Sequence, residues 1–250
     1  MKNIHHAILA GIILASSSFM AQTASADAGE SLRPSHPPPV VVGDMFQFVE
    51  GAWAEYEVLD KADNTTHTLR MSILGQEQVR RTIFSRRRAY RWLELDVRVP
   101  DEPRVVINYL ARETSEGPGE PHEMILQIED FEDPIRLGRR WLRGGDEEVV
   151  DADYEWIRQE ADEEIITHGD RSFTAWRVQA EAEDGTTVEA VVSEELPPFG
   201  LYFVETAEQR MTLRDWGMGA QSTITGEPIG LSRWIARQVR GHGQKDLHEK

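Results

Sequence analysis

The chain has 250 residues, no cysteine, and 27 basic against 44 acidic side chains, a net charge of −17. That balance argues against nucleic acid and anionic lipid surfaces as partners, because both are held by a basic footprint. Without cysteine, disulfide scaffolds, iron–sulfur clusters, cysteine nucleophiles and thiolate zinc sites are excluded, so the core must hold unaided.

Residues 1–26 read as a secretory signal peptide. Lys2 gives a positive start, Ile8, Leu9, Ile12, Ile13 and Leu14 centre an apolar run, and Ala24-Ser25-Ala26 offers a small-x-small cleavage site. The run is too short for a membrane span, and no cysteine follows it to carry a lipid. The expectation is an exported, non-lipidated protein with no transmembrane segment in its mature chain. Residues 27–43, with Pro34, Pro37, Pro38 and Pro39, read as an extended leader.

From residue 44 the pattern is that of strands. Ala54, Tyr56 and Val58 alternate with Glu55 and Glu57, Lys61-Ala62-Asp63-Asn64 has turn chemistry, and Leu69, Met71 and Ile73 alternate with polar neighbours. This predicts an antiparallel hairpin over 53–74. Leu93-Leu95-Val97, Met124-Leu126-Ile128, Trp176-Val178-Ala180, Val188-Ala190-Val192 and Met211-Leu213 repeat the period of two. Glu183-Asp184-Gly185-Thr186 carries a hairpin signal. Residues 104–112 fit a helical stripe through Val105, Val106, Tyr109 and Leu110, although Val-Val-Ile equally favours a strand. Residues 151–165 suit a helix or a polar loop. The tail over 231–250 reads as a basic amphipathic helix followed by a polar end: Ser232 as N-cap, Leu231, Trp234, Ile235 and Val239 on one face, and Gly241 as C-cap.

Catalytic motifs are lacking. His168-Gly169-Asp170 and Ser172 hold triad residue types, but adjacency in a turn is not convergence in space. The histidines lack ligand spacing and no glycine-rich phosphate loop is present, so neither a metal nor a cofactor is expected. Arg80, Arg81 and Arg86-Arg87-Arg88 read as a charged hairpin tip. Pro197-Pro198-Phe199-Gly200 reads as a structural turn between two strands.

Gly51-Ala52-Trp53-Ala54-Glu55-Tyr56, Leu69 through Glu77 and Tyr90-Arg91-Trp92-Leu93-Glu94 are followed by Val191 through Leu201 and Leu213 through Ile224. In this order the segments resemble uncharacterised bacterial periplasmic proteins similar to the outer-membrane lipoprotein-sorting (LolA-like) superfamily, over about residues 46–228. His168 through Phe173 departs from the P-A-G-T-F turn of those relatives. The resemblance implies a periplasmic location and a single mainly β domain over 44–230. It also implies an incomplete antiparallel β-barrel with a few covering helices and an apolar cavity for acyl chains.

Candidate lining residues are Tyr56, Val58, Leu69, Met71, Ile73, Leu93, Leu95, Met124 and Leu126, which serve equally as plain core. Each buried methylene contributes about 0.8 kcal/mol, so a sixteen-carbon chain gains on the order of 10 kcal/mol before ordering costs. The expected function is non-catalytic binding or carriage of a lipid, acyl chain or other amphiphile. The alternative is a cell-envelope scaffold or protein-interaction module with a packed barrel, contacting other envelope proteins.

Overall fold

A computed structural model describes residues 46–80, 87–114, 117–138, 142, 161–181 and 187–237. The signal peptide, the proline-rich leader, the Glu183–Thr186 turn, Val239 and Gly241 lie outside the described residues.

The strands are β1 (Trp53–Asp60), β2 (Thr66–Val79), β3 (Arg88–Arg98), β4 (Val105–Thr114), β5 (Gly117–Ile128), β6 (Ile135–Gly138), β7 (Asp162–His168), β8 (Arg171–Glu181), β9 (Thr187–Val192), β10 (Leu201–Glu205), β11 (Gln209–Gly217) and β12 (Ile229–Gly230). They form one sheet in the order β12-β6-β5-β4-β3-β2-β1-β11-β10-β9-β8-β7. Every pairing is antiparallel except that of β12 with β6. The closing step of the meander sets β11 beside β1, so two runs of neighbouring strands join at the middle of the sheet. A short helix, α1, occupies residues 231–237.

The 53–74 hairpin forms as expected, and its register sets Ala54 opposite Met71 and Tyr56 opposite Leu69. Its turn is closed by side chains: Asp60 accepts from Ala62 N at 2.9 Å and Asp63 from Thr65 N at 2.8 Å. Asn64, at φ +60°, takes the left-handed conformation that asparagine tolerates.

Residues 104–112 resolve into strand β4. Burial decides this, because Val106, Asn108 and Leu110 are covered on one face while Tyr109 and Ala111 are covered on the other. A helix would gather the apolar residues on a single stripe. Within 151–165, residues 162–165 belong to strand β7, and residues 151–160 lie outside the described residues. The tail helix begins at Leu231, so Ser232 lies inside its first turn and not at the N-cap. Leu231 is buried, Trp234 half-buried and Ile235 exposed. The covered stripe is therefore narrower than the apolar pattern suggests.

The sheet curls. The Tyr56 hydroxyl donates to the Leu201 carbonyl at 3.0 Å, reaching from β1 across β11 to β10. At the far end, the His168 ring Nε2 lies 2.8 Å from the Arg214 carbonyl, and His168 and Phe173 both meet Tyr202 and Trp216 edge-on or tilted. Three strands lie between β7 and β11 in the sheet, so these contacts require strong curvature. The reversal between β9 and β10 holds as expected: Gly200 adopts φ +63°, donates to Leu196 O at 2.7 Å and accepts from Ser193 N at 2.8 Å. Phe199 from this turn packs edge-on against Phe46.

Candidate functional site

The predicted cavity residues share one face of the sheet, here called the inner face. Cross-strand pairing arranges them in rows. One row runs Ile73–Leu93–Tyr109–Met124–Leu137, the next Ala54–Met71–Leu95–Ile107–Leu126–Ile135, and a third Tyr56–Leu69–Val97–Val105–Ile128. Val58 stands opposite His67 at the end of the hairpin.

Two sectors of this face differ. Around β1, β2 and the first row it is sealed: Tyr56, Val58 and Ile73 are 0 % exposed, Leu69 and Leu93 1 %, Met71 2 %, Leu95 5 % and Met124 7 %. They belong to a single apolar cluster that also includes Val204, Met211, Leu213 and Leu231. Toward the other ends of β3, β4 and β5, Val97, Val105, Ile107, Leu126 and Ile128 are only half-buried. Of the nine predicted residues, Leu126 alone lies in this accessible sector. The alternation in β4 and β5 carries the signal for the rest, since Val105, Ile107, Leu126 and Ile128 fall on one parity.

Helix α1 borders the accessible sector. The chain leaves β11, crosses the opposite face of the sheet, pairs as β12 beside β6 and turns back as α1. Leu231 enters the inner cluster, Trp234 meets Phe131 at 5.3 Å edge-on, and Arg237 forms an ion pair with Asp133. Since Phe131 follows β5 and its N–H bonds the Ile128 carbonyl at 2.9 Å, Trp234 stands beside the end of the third row.

The crossing segment, residues 218–228, is pinned by a buried carboxylate. Glu94 is 2 % exposed and accepts from the Ser222 hydroxyl at 2.9 Å, the Thr223 hydroxyl at 3.0 Å and Thr223 N at 2.9 Å. Asn108 Nδ2 donates to Ser222 Oγ at 2.9 Å, and Gln127 exchanges two hydrogen bonds with Thr225. A buried carboxylate is tolerated when hydrogen-bond donors replace its hydration, and the nearby Arg104 guanidinium also interacts with it. Next to it, burial acts to raise the Asp96 carboxyl, but the Arg104 and Arg98 guanidiniums overcome this and hold it below the usual carboxylate range. Further along the same face the Trp53 ring lies flat against Gly217, where a Cβ would approach it to 3.2 Å, with Arg70 stacked 4.0 Å from the ring centroid.

Polar groups on the inner face are few. Burial pushes the phenols of Tyr56 and Tyr109 well above their ordinary range. Burial also lowers the His67 imidazole, against the pull of the Asp60 and Asp63 carboxylates. His67 is 4 % exposed and its Nε2 has no hydrogen-bond partner among the described residues. Arg91, opposite Ala111, bridges Glu113 and Glu50 at 3.3 Å each.

The triad types around residue 168 do not converge. His168 is engaged with Arg214 O, while Ser172 Oγ bonds Thr167 Oγ1 at 3.1 Å across the hairpin. Among the described residues no group of His, Asp and Glu is arranged to hold a metal ion, and no helix is long and apolar enough to cross a membrane. No protein-family model matches the chain, and no curated protein matches it.

Proposed function

We propose that this protein is an exported, non-catalytic carrier that binds a lipid, acyl chain or other amphiphile against the inner face of a LolA-like half-barrel, in the periplasm. The observation that carries the reading is the accessible sector: Val97, Val105, Ile107, Leu126 and Ile128 are neighbours across β3, β4 and β5 and are only half-buried. Apolar surface of this kind, bordered by a helix, is the ordinary form of a site for a water-averse ligand. The curl of the sheet agrees with a concave apolar face. The site then lies over half of the face, since the sealed rows act as packing that holds the floor rigid.

A second reading is favoured by the sealed rows themselves. The sealed side chains, exposed by 0–7 % across β1, β2, β3 and β5, are packed as a solid core, which suits an envelope scaffold that works through its surface. Native mass spectrometry of the full-length product, purified from its own compartment without detergent and then extracted with solvent, decides between them. A stoichiometric amphiphile supports the carrier. A clean unliganded mass, with no uptake of added fatty acid or phospholipid, supports the scaffold.

A further inference from the structure

The two ends of the sheet are finished differently. At one end the edge strand is β12, two residues long, and the chain turns from it directly into α1. At the other end β7 is a seven-residue strand, Asp162–His168, with β8 on one side and no strand on the other among the described residues. Ile165 at its centre is 77 % exposed, the most exposed large apolar side chain among the described residues. A long edge with an apolar centre is a template for another strand.

The register fixes which backbone groups face outward. His168 pairs with Arg171 across the Gly169-Asp170 turn, and hydrogen-bonded and non-bonded pairs alternate from there, so Ile166 and Glu164 bond β8 while Ile165 does not. Thr174, opposite Ile165, has the same parity: its N–H donates to Glu195 Oε1 at 2.9 Å and its carbonyl accepts from Ser193 Oγ, both on the β9 side. The N–H and C=O groups of Glu163, Ile165 and Thr167 therefore point out of the sheet edge, unpaired among the described residues.

Independently of what the inner face binds, we infer that two copies of this chain join edge to edge through β7, antiparallel, about a two-fold axis at Ile165. Charge selects both the partner and the register. Asp162, Glu163 and Glu164 fill the first half of the strand, while Ile166, Thr167 and His168 fill the second, which has no acid. In this pairing Ile165 meets its copy, Glu163 faces Thr167, Glu164 faces Ile166 and Asp162 faces His168, so no two carboxylates stand opposite. A register shifted by two residues toward the acidic end sets Glu164 against Glu164, and a parallel arrangement sets acids side by side. Like charges directly opposite are destabilising, and a two-fold contact must be self-complementary. The outward groups of Ile165 then bond those of its copy, and those of Glu163 bond Thr167.

The test is sedimentation equilibrium of the full chain over a range of concentrations, with amide hydrogen exchange on the same samples. The expected result is a reversible dimer, weak because one strand pair buries a small area. Ile165→Glu sets two carboxylates opposite at the axis. Its side chain is exposed, so the thermal transition is expected to remain while the dimer dissociation constant rises about tenfold. The exchange pattern needs no variant: raising the concentration is expected to slow the amides of Glu163, Ile165 and Thr167 and to leave those of Glu164 and Ile166, already bonded to β8, unchanged. A monomer at every concentration overturns the inference, and so does a dimer that Ile165→Glu leaves intact. Slow exchange at Ile165 that is independent of concentration means that another segment of the same chain covers the edge, and it too overturns the pairing of copies.

Discussion

Two sectors of the same apolar face behave differently, although the same strands run through both. In β3, Leu93 and Leu95 are sealed whereas Val97, two residues on, is half-buried. In β5, Met124 is covered and Leu126 and Ile128 are not fully so. What differs is what lies above them. The sealed rows face side chains contributed by the curl of the sheet from β9 to β11, and Phe46 and Phe199 pack into the same cluster. Near the end of β5, α1 covers only Leu231 and Trp234 of its own apolar residues. A face of uniform hydrophobicity is thereby divided into core and candidate site by the reach of its neighbours, not by its own composition.

The sharpest way to break this comparison is to place a charge in each sector. Met71→Arg or Leu95→Arg puts an unpaired cation in the sealed rows and is expected to unfold the protein, read as loss of the cooperative thermal transition. Leu126→Arg sits where solvent reaches and is expected to leave a folded protein that no longer takes up dodecanoate in calorimetric titration. A folded Met71→Arg variant would remove the distinction between the sectors.

Truncation gives a graded version. Leu93→Ala is expected to cost about 2–5 kcal/mol in denaturant unfolding, the range for a cavity in a well-packed core. Leu126→Ala is expected to cost roughly half of that or less, because part of its surface is already in water. On the opposite face, Glu94→Ala leaves the Ser222 and Thr223 donors unpaired and is expected to cost about 1–3 kcal/mol. It also frees residues 218–228, which shows as faster amide exchange at Thr223.

The smallest expected effects are those of pH. The folded-state imidazole of His67 is depressed, so the unfolded state binds its proton more readily. Its contribution to stability is present above the unfolded value of about 6.5 and is lost as pH falls below it toward the folded value. Asp96 is depressed as well, so its contribution is present above the unfolded value of about 3.9 and is lost at more acid pH. Stability measured by denaturant between pH 7 and 3 is therefore expected to decline first from His67. His67→Leu is expected to flatten the upper part of that decline, and Asp96→Asn its most acid part. An unchanged slope in His67→Leu would place the buried imidazole outside the pH response.

The sequence alone determined the mainly β class, the 53–74 hairpin, the Pro197–Gly200 reversal and the parity of the inner face. Each rests on a period of two or on local turn chemistry, which neighbouring residues settle among themselves. It left residues 104–112 open, because β-branched residues buried on both faces satisfy either pattern until the partner strands are known. The placement of Ser232 and Ile235 failed for a related reason: the pairing of β12 with β6 sets where α1 begins and which side it presents. Only the tertiary structure decided that Leu126 is half-buried while Leu69 and Ile73 are sealed, that Glu94 is buried beneath residues 218–228, and that Trp234 packs edge-on against Phe131. Glu94 and Ser222 are 128 residues apart in the chain. Local pattern reports which face a side chain takes, and contacts of that separation decide what covers it.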